Sequence, residues 1–199
     1  MNQNAPDHIR QITYWDGDVI EERNLERQLF TPDQVGMTKS RAAGELFPME
    51  GMLLATRGDF NTHASPEIKE GSSLIMATDN VESRILALDM ADRKNLAVLS
   101  AANATADDGL GIGSTAWYYH PDFFGSHKDP RVRHNLESEA SQAHIRVARP
   151  CSEVSEPQTA LANNGAAQRC LELLTLWSSD VDPQYLPFEH SIFYKQEAA

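Results

Sequence analysis

The sequence predicts an α/β fold, and three consecutive stretches carry that prediction. "SSLIMATDN" (72–80) holds four apolar residues in a row, Leu74, Ile75, Met76 and Ala77. An unbroken apolar run suits a strand covered on both faces, as in a parallel sheet. "VESRILALDMADR" (81–93) follows with Val81, Ile85, Leu88 and its alanines at helical spacing. "KNLAVLSAAN" (94–103) reads as a second buried strand, so the three together form a strand–helix–strand unit.

The remaining elements follow in order. "HIRQITYWD" (8–16) is a strand rich in β-branched and aromatic residues, stopped by Asp16-Gly17-Asp18. Residues 31–47 read as a helix capped by Thr31 or Asp33, with Val35, Ala42, Ala43, Leu46 and Phe47 as its apolar face and Pro48 at its end. "GMLLATR" (51–57) is a short buried strand, and 65–71 a turn of helix at most. "GLGIG" (109–113) reads as a turn, and a strand with Trp117, Tyr118 and Tyr119 follows it. Residues 121–158 form a long irregular segment, a length that is usually functional or mobile. A helix over 158–178 places Leu161, Ala166, Cys170, Leu173, Leu174 and Trp177 on one side, and "HSIFYKQ" (190–196) is a last strand.

The chain of 199 residues suits one domain, or one domain with an appendage. Its net charge of −12 excludes a nucleic-acid-coating surface, which needs clustered Lys and Arg. No run of eighteen apolar residues and no basic start followed by an apolar core occurs. With only Cys151 and Cys170, no disulfide framework or CxxC zinc pair exists. The expectation is a cytoplasmic protein with no membrane and no nucleic-acid partner. Cys170 reads as a core thiol, and Cys151 as a small structural thiol or a thioester nucleophile.

Chemistry concentrates at strand ends. Asp16 and Asp18 follow the first strand, Asp79 and Asn80 the "LIMA" strand, and Asn103 the "AVLSA" strand. In open α/β sheets ligands bind beyond the carboxyl ends of strands. An acidic residue there suits a ribose hydroxyl, and a second one near phosphates suits Mg²⁺. Arg27 offers forked contacts to phosphate oxygens and Lys39 a point charge. Taken singly these residues have plainer roles: a strand-end Asp is a turn former, Arg27 an ion-pair partner of Glu22 or Glu26, Lys39 a solvated helix residue. The combination is what points to a nucleotide.

That combination resembles the ThiF/MoeB/ubiquitin-activating (E1-like) adenylyltransferases. The pattern stands here as Asp16, Asp18, Asn24, Leu25, Arg27, Gln28, Phe30, Asp33, Gly36 and Lys39, then Thr78, Asp79, Asn80 and Arg84. It covers residues 10–105 firmly and 150–178 loosely, and its nearest look is to the ThiF-like component of the PRTRC plasmid gene system. The resemblance implies a Rossmann-like fold, a mixed sheet with flanking helices over a single domain 1–199. It implies ATP and Mg²⁺ as cofactors, and adenylation of the C-terminal carboxylate of a ubiquitin-like protein. By the same resemblance Asp16 holds the ribose, with Asp18 beside it. Asn24, Arg27 and Lys39 hold the phosphates and Asp79 organises Mg²⁺; Gln28 and Asn80 complete the cofactor-binding set, and Gln28 and Arg84 orient neighbours rather than react. Arg27 and Asp79 are the expected catalytic pair. Leu25, Leu29 and Phe30 are expected to pin the charged segment 16–30 to the core.

The family's first β–α element, with its glycine-rich turn, has no counterpart ahead of Asp16. The expectation is a homodimer or a hetero-partner supplying the glycine-rich strand, or else a start-truncated product. The alternative is an inactive E1-like scaffold subunit. An NAD-dependent oxidoreductase is a third reading, in which Arg27 and Lys39 have no evident task.

Overall fold

The computed structural model describes residues 11–26, 28–46, 53–57, 60, 68–69, 71–78, 80–105, 111–123, 128–138, 140, 160–177, 179 and 187–195. The chain divides into two compact units, 1–68 and 69–199, each described by itself below.

In the first unit, β1 (Gln11–Trp15) pairs in parallel with β2 (Leu53–Arg57), Gln11 opposite Leu53 and Trp15 opposite Arg57. A parallel pair needs a crossover, and α1 (Lys39–Leu46) supplies it, lying against both strands. Ala42 is fully buried, Ile20 is 1% exposed, and Phe60 meets Trp15 edge-on with ring centroids 6.1 Å apart.

The helix expected over 31–47 is shorter than the sequence suggests. Thr31 opens only a single 3-10 turn, Pro32–Gln34, with its N–H donating to Gln34 Oε1 at 3.1 Å. Val35 then turns extended, and Gly36 takes a φ of +90°, a region L side chains avoid. The chain next pairs with the segment after β1: Ile20 N–H donates to Met37 C=O and Gly36 N–H to Ile20 C=O, both at 2.9 Å, around a Val19–Thr38 bridge. The α-helix starts only at Lys39, and Val35 is exposed rather than part of its apolar face.

In the second unit a four-stranded mixed sheet runs β3 (Ser73–Met76), β4 (Ala97–Thr105), β5 (Gly111–Tyr119), β6 (Glu189–Lys195). β3 and β4 are parallel and joined by α2 (Val81–Lys94), as the sequence predicts; β5 and β6 add on antiparallel. Asn80 caps α2 by accepting Ser83 N–H at 3.1 Å, and Asn95 ends it in the left-handed region at φ 51°. The buried face of α2 is Val81, Ala87, Leu88, Met90 and Ala91.

Two details of this unit depart from the sequence reading. Leu74 and Met76 are buried but Ile75 is 59% exposed, so β3 is covered on one face only. Its only paired neighbour among the described residues is β4. Gly111 and Gly113 lie inside β5 rather than in a turn; residues 109 and 110 lie outside the described set.

The irregular segment contains a short helix, α3 (Pro130–Arg133), capped by Asp129. Arg131 ties it to α2, with Nη atoms 2.9 Å from Asp89 and 2.7 Å from Asp92. Tyr119 donates its hydroxyl to Asp92 at 2.6 Å. Burial first, and then the Asp92 carboxylate, push the Tyr119 hydroxyl above its ordinary range. α4 (Ala160–Trp177) packs on β4 and β5. Ala166, Cys170 and Leu173 are buried as expected, whereas Leu174 is exposed, turned one position off the buried stripe. No helix among the described residues is long and apolar enough to cross a membrane.

Candidate nucleotide site

The turn that ends β1 gathers three of the sequence-predicted residues. Asp16 Oδ1 accepts the Asp18 N–H at 2.8 Å, the short-range bond by which an Asp folds its own backbone into a turn. Asp18 in turn binds Lys39 twice. Its carbonyl accepts the Lys39 N–H at 2.9 Å, and its Oδ2 lies 2.6 Å from Lys39 Nζ. Residues 21 positions apart are thus held in one clasp, closed by the same pairing that delays the start of α1.

Desolvation lifts the Asp16 carboxyl above its ordinary value of 3.8, against the opposing pull of the Asp18 N–H and the Lys39 charge; the Asp18 charge adds to the rise. A carboxylate kept partly from water in this way is suited to accept hydrogen bonds from a ligand. The linkage has a definite sign. The folded state takes up the Asp16 proton more readily than the unfolded chain, so the site loses stability as pH rises from below 3.8 through the raised value. The full penalty stands at neutral pH. Asp16→Asn keeps the oxygen that accepts the Asp18 N–H and removes the charge. Urea unfolding should find it more stable than wild type at pH 7, with the difference closing in acid; equal stability at pH 7 would contradict the burial of this carboxyl.

Asn24 and Gln28 form a second local group. Asn24 is 4% exposed, and its Oδ1 accepts the Glu21 N–H at 2.9 Å, which leaves its NH₂ for donation. The Gln28 N–H donates to the Asn24 carbonyl at 2.9 Å, and Gln28 Oε1 is buried without a hydrogen-bond partner among the described residues. The pinning role expected of Leu25, Leu29 and Phe30 is corrected at Leu29, which is 78% exposed, whereas Leu25 and Phe30 are half-buried; Ile20 and Asn24 are the buried anchors of the segment. An Asn inside a charged run is the sequence signal for that anchor, and as a phosphate ligand alone it is under-read.

In the second unit, Asn80 caps α2, and the Arg84 guanidinium donates to the Thr78 carbonyl from Nη2 at 2.6 Å and Nε at 3.1 Å. Arg84 therefore orients the end of β3, as the sequence implies. Arg27 and Asp79 lie outside the described residues, as does Cys151. Among the described residues no group of three or more His, Cys, Asp or Glu is placed to hold a metal ion. Sequence reasoning misses the Arg131 cluster with Asp89, Asp92 and Asp129; the Asp129-Pro130 cap is its one sequence signal.

A parallel pair ending in two carboxylates and a lysine, and a strand–helix–strand unit within a mixed sheet, define a Rossmann-like α/β protein. The ThiF family model matches residues 8–191, and the chain belongs to the ThiF family. Solved structures of MccB from E. coli share the fold. That of MccB with AMPCPP and selenomethionine MccA is 17% identical at a TM-score of 0.60, covering 94% of this chain and 56% of MccB. Those with MccA-N7isoASN and with succinimide are each 19% identical, at TM-scores of 0.62 and 0.63 and the same coverage. The chain thus spans just over half the length of MccB. A comparison with curated proteins found no match.

Proposed function

We propose that this chain is an adenylyltransferase of the E1-like type, acting with ATP and Mg²⁺ on the C-terminal carboxylate of a ubiquitin-like protein. The observation that carries the reading is the clasp joining Asp16, Asp18 and Lys39 at the carboxyl end of β1, in a chain of the ThiF family. AMPCPP, an ATP analogue, is named with MccB, which shares the fold.

The donor set suits the ligand. Asp16 offers an acceptor for ribose hydroxyls, and Lys39, the Asn24 NH₂ and Arg27 are the donors for phosphate oxygens. The substrate carboxylate attacks the α-phosphorus, a new O–P bond forms, and the bond to the leaving pyrophosphate breaks. Two anions meet in that step, so fixed positive charge must face the phosphorus. Mg²⁺ takes one or two carboxylates plus substrate phosphates, and a site with Asp79 as its protein ligand fits that habit. Arg84 and Asn80 hold the flanks of Asp79 through the Thr78 carbonyl and the α2 cap.

β1 and β3 each have one paired neighbour among the described residues. A homodimer or a hetero-partner pairing with one of these open strand edges is part of the proposal. Within the family, the ThiF-like component of PRTRC systems is the member we favour. The second reading, a non-catalytic scaffold, is favoured by one observation: the Lys39 charge is already paired with Asp18. Calorimetric titration with ATP and Mg²⁺ separates the two. Micromolar binding is expected for the enzyme; no heat with ATP, yet retained binding to a ubiquitin-like protein, would establish the scaffold instead.

A further inference from the structure

The Lys39–Asp18 pair is unequal. The lysine side chain is 17% exposed and the aspartate 72%. The root of Lys39 is fixed, because its N–H bonds the Asp18 carbonyl at 2.9 Å and it begins α1. The Asp18 carboxylate faces water and is free to turn away without breaking a backbone bond. Asp16 sits within the electrostatic reach of both: Lys39 favours its ionised form and Asp18 opposes it. A lysine held ready for phosphate would gain nothing from a neutralising partner unless that partner had its own task.

We propose that Asp18 is a built-in competitor for Lys39: its carboxylate holds the ammonium until a polyphosphate displaces it, and so sets the affinity of the site for anions. This rests on the nucleotide reading above. A singly charged anion gains little by replacing one carboxylate with another negative group. A triphosphate brings several charges, so the exchange favours it. After the exchange Asp18 returns to solvent, while Lys39 stays where its backbone holds it.

The test is calorimetric titration of AMPCPP into wild type, Asp18→Asn, Lys39→Ala and the double variant. Asp18→Asn is expected to bind AMPCPP about three- to five-fold more tightly, the scale set by a partly exposed ion pair, and the gain should shrink at high salt. In the Lys39→Ala background the same substitution should change nothing. Weaker binding by Asp18→Asn would make Asp18 a ligand and overturn the competitor role. An equal gain with and without Lys39 would reduce the effect to general charge removal and overturn it too. Unchanged binding would sink the exchange alone and leave the nucleotide reading standing. No AMPCPP binding by any variant would refute that reading, and the exchange with it.

Discussion

Arg27→Ala is expected to lower ATP–pyrophosphate exchange by about 10²–10³-fold, the cost of removing one donor aimed at charge that develops in the transition state. Adenylation brings a carboxylate against a triphosphate, and a planar guanidinium can bridge two oxygens where an ammonium meets one. The residues on either side of position 27 have backbone hydrogen bonds of their own. Asn24 Oδ1 accepts the Glu21 N–H, and the Gln28 N–H donates to the Asn24 carbonyl, both at 2.9 Å. The melting temperature of the variant should therefore match wild type. Arg27→Lys should recover only part of the rate, because it restores charge without the fork. Full exchange in Arg27→Ala would remove this residue from the mechanism.

Gly165→Val should destabilise the second unit by about 1–3 kcal/mol, the usual cost of overpacking a buried contact. A Cβ at Gly165 would stand 2.8 Å from Ser114 Oγ and 3.3 Å from Ser114 Cβ. Ser114 is 4% exposed in β5, so it has little room to yield. Helix propensity works the other way, since glycine is the poorer helix former by a few tenths of a kcal/mol, and the steric term outweighs it. Urea unfolding of Gly165→Val in wild-type and Ser114→Ala backgrounds separates the two effects. A smaller loss in the Ser114→Ala background supports close approach of α4 to β5; an identical loss would show that the cost is local to the helix.

Much of the scaffold was legible because its signals are local. The "LIMA" and "AVLSA" runs and the spacing of Val81, Leu88 and Ala91 specify a strand, a helix and a strand wherever they are placed. So does the β-branched and aromatic stretch of β1. Of the candidate residues that the sequence sets out, Asp16, Asp18 and Lys39 meet in the first unit, while Arg27 and Asp79 lie outside the described residues. The pairing of Asp18 with Lys39 was not legible, because an ion pair across 21 positions depends on how two segments align. Burial misled at Leu29 and Ile75, where an apolar side chain reads as core yet stands exposed.

The sequence by itself determined which stretches become strands and helices, and which side chains are the candidates for a nucleotide site. Only the tertiary structure decided where α1 begins, which carboxylate Lys39 faces, and that Gly165 lies against Ser114. The reason is physical. Hydrophobic period and turn chemistry act between near neighbours, whereas register, close packing and ion pairing are set by segments that meet only once the chain has folded.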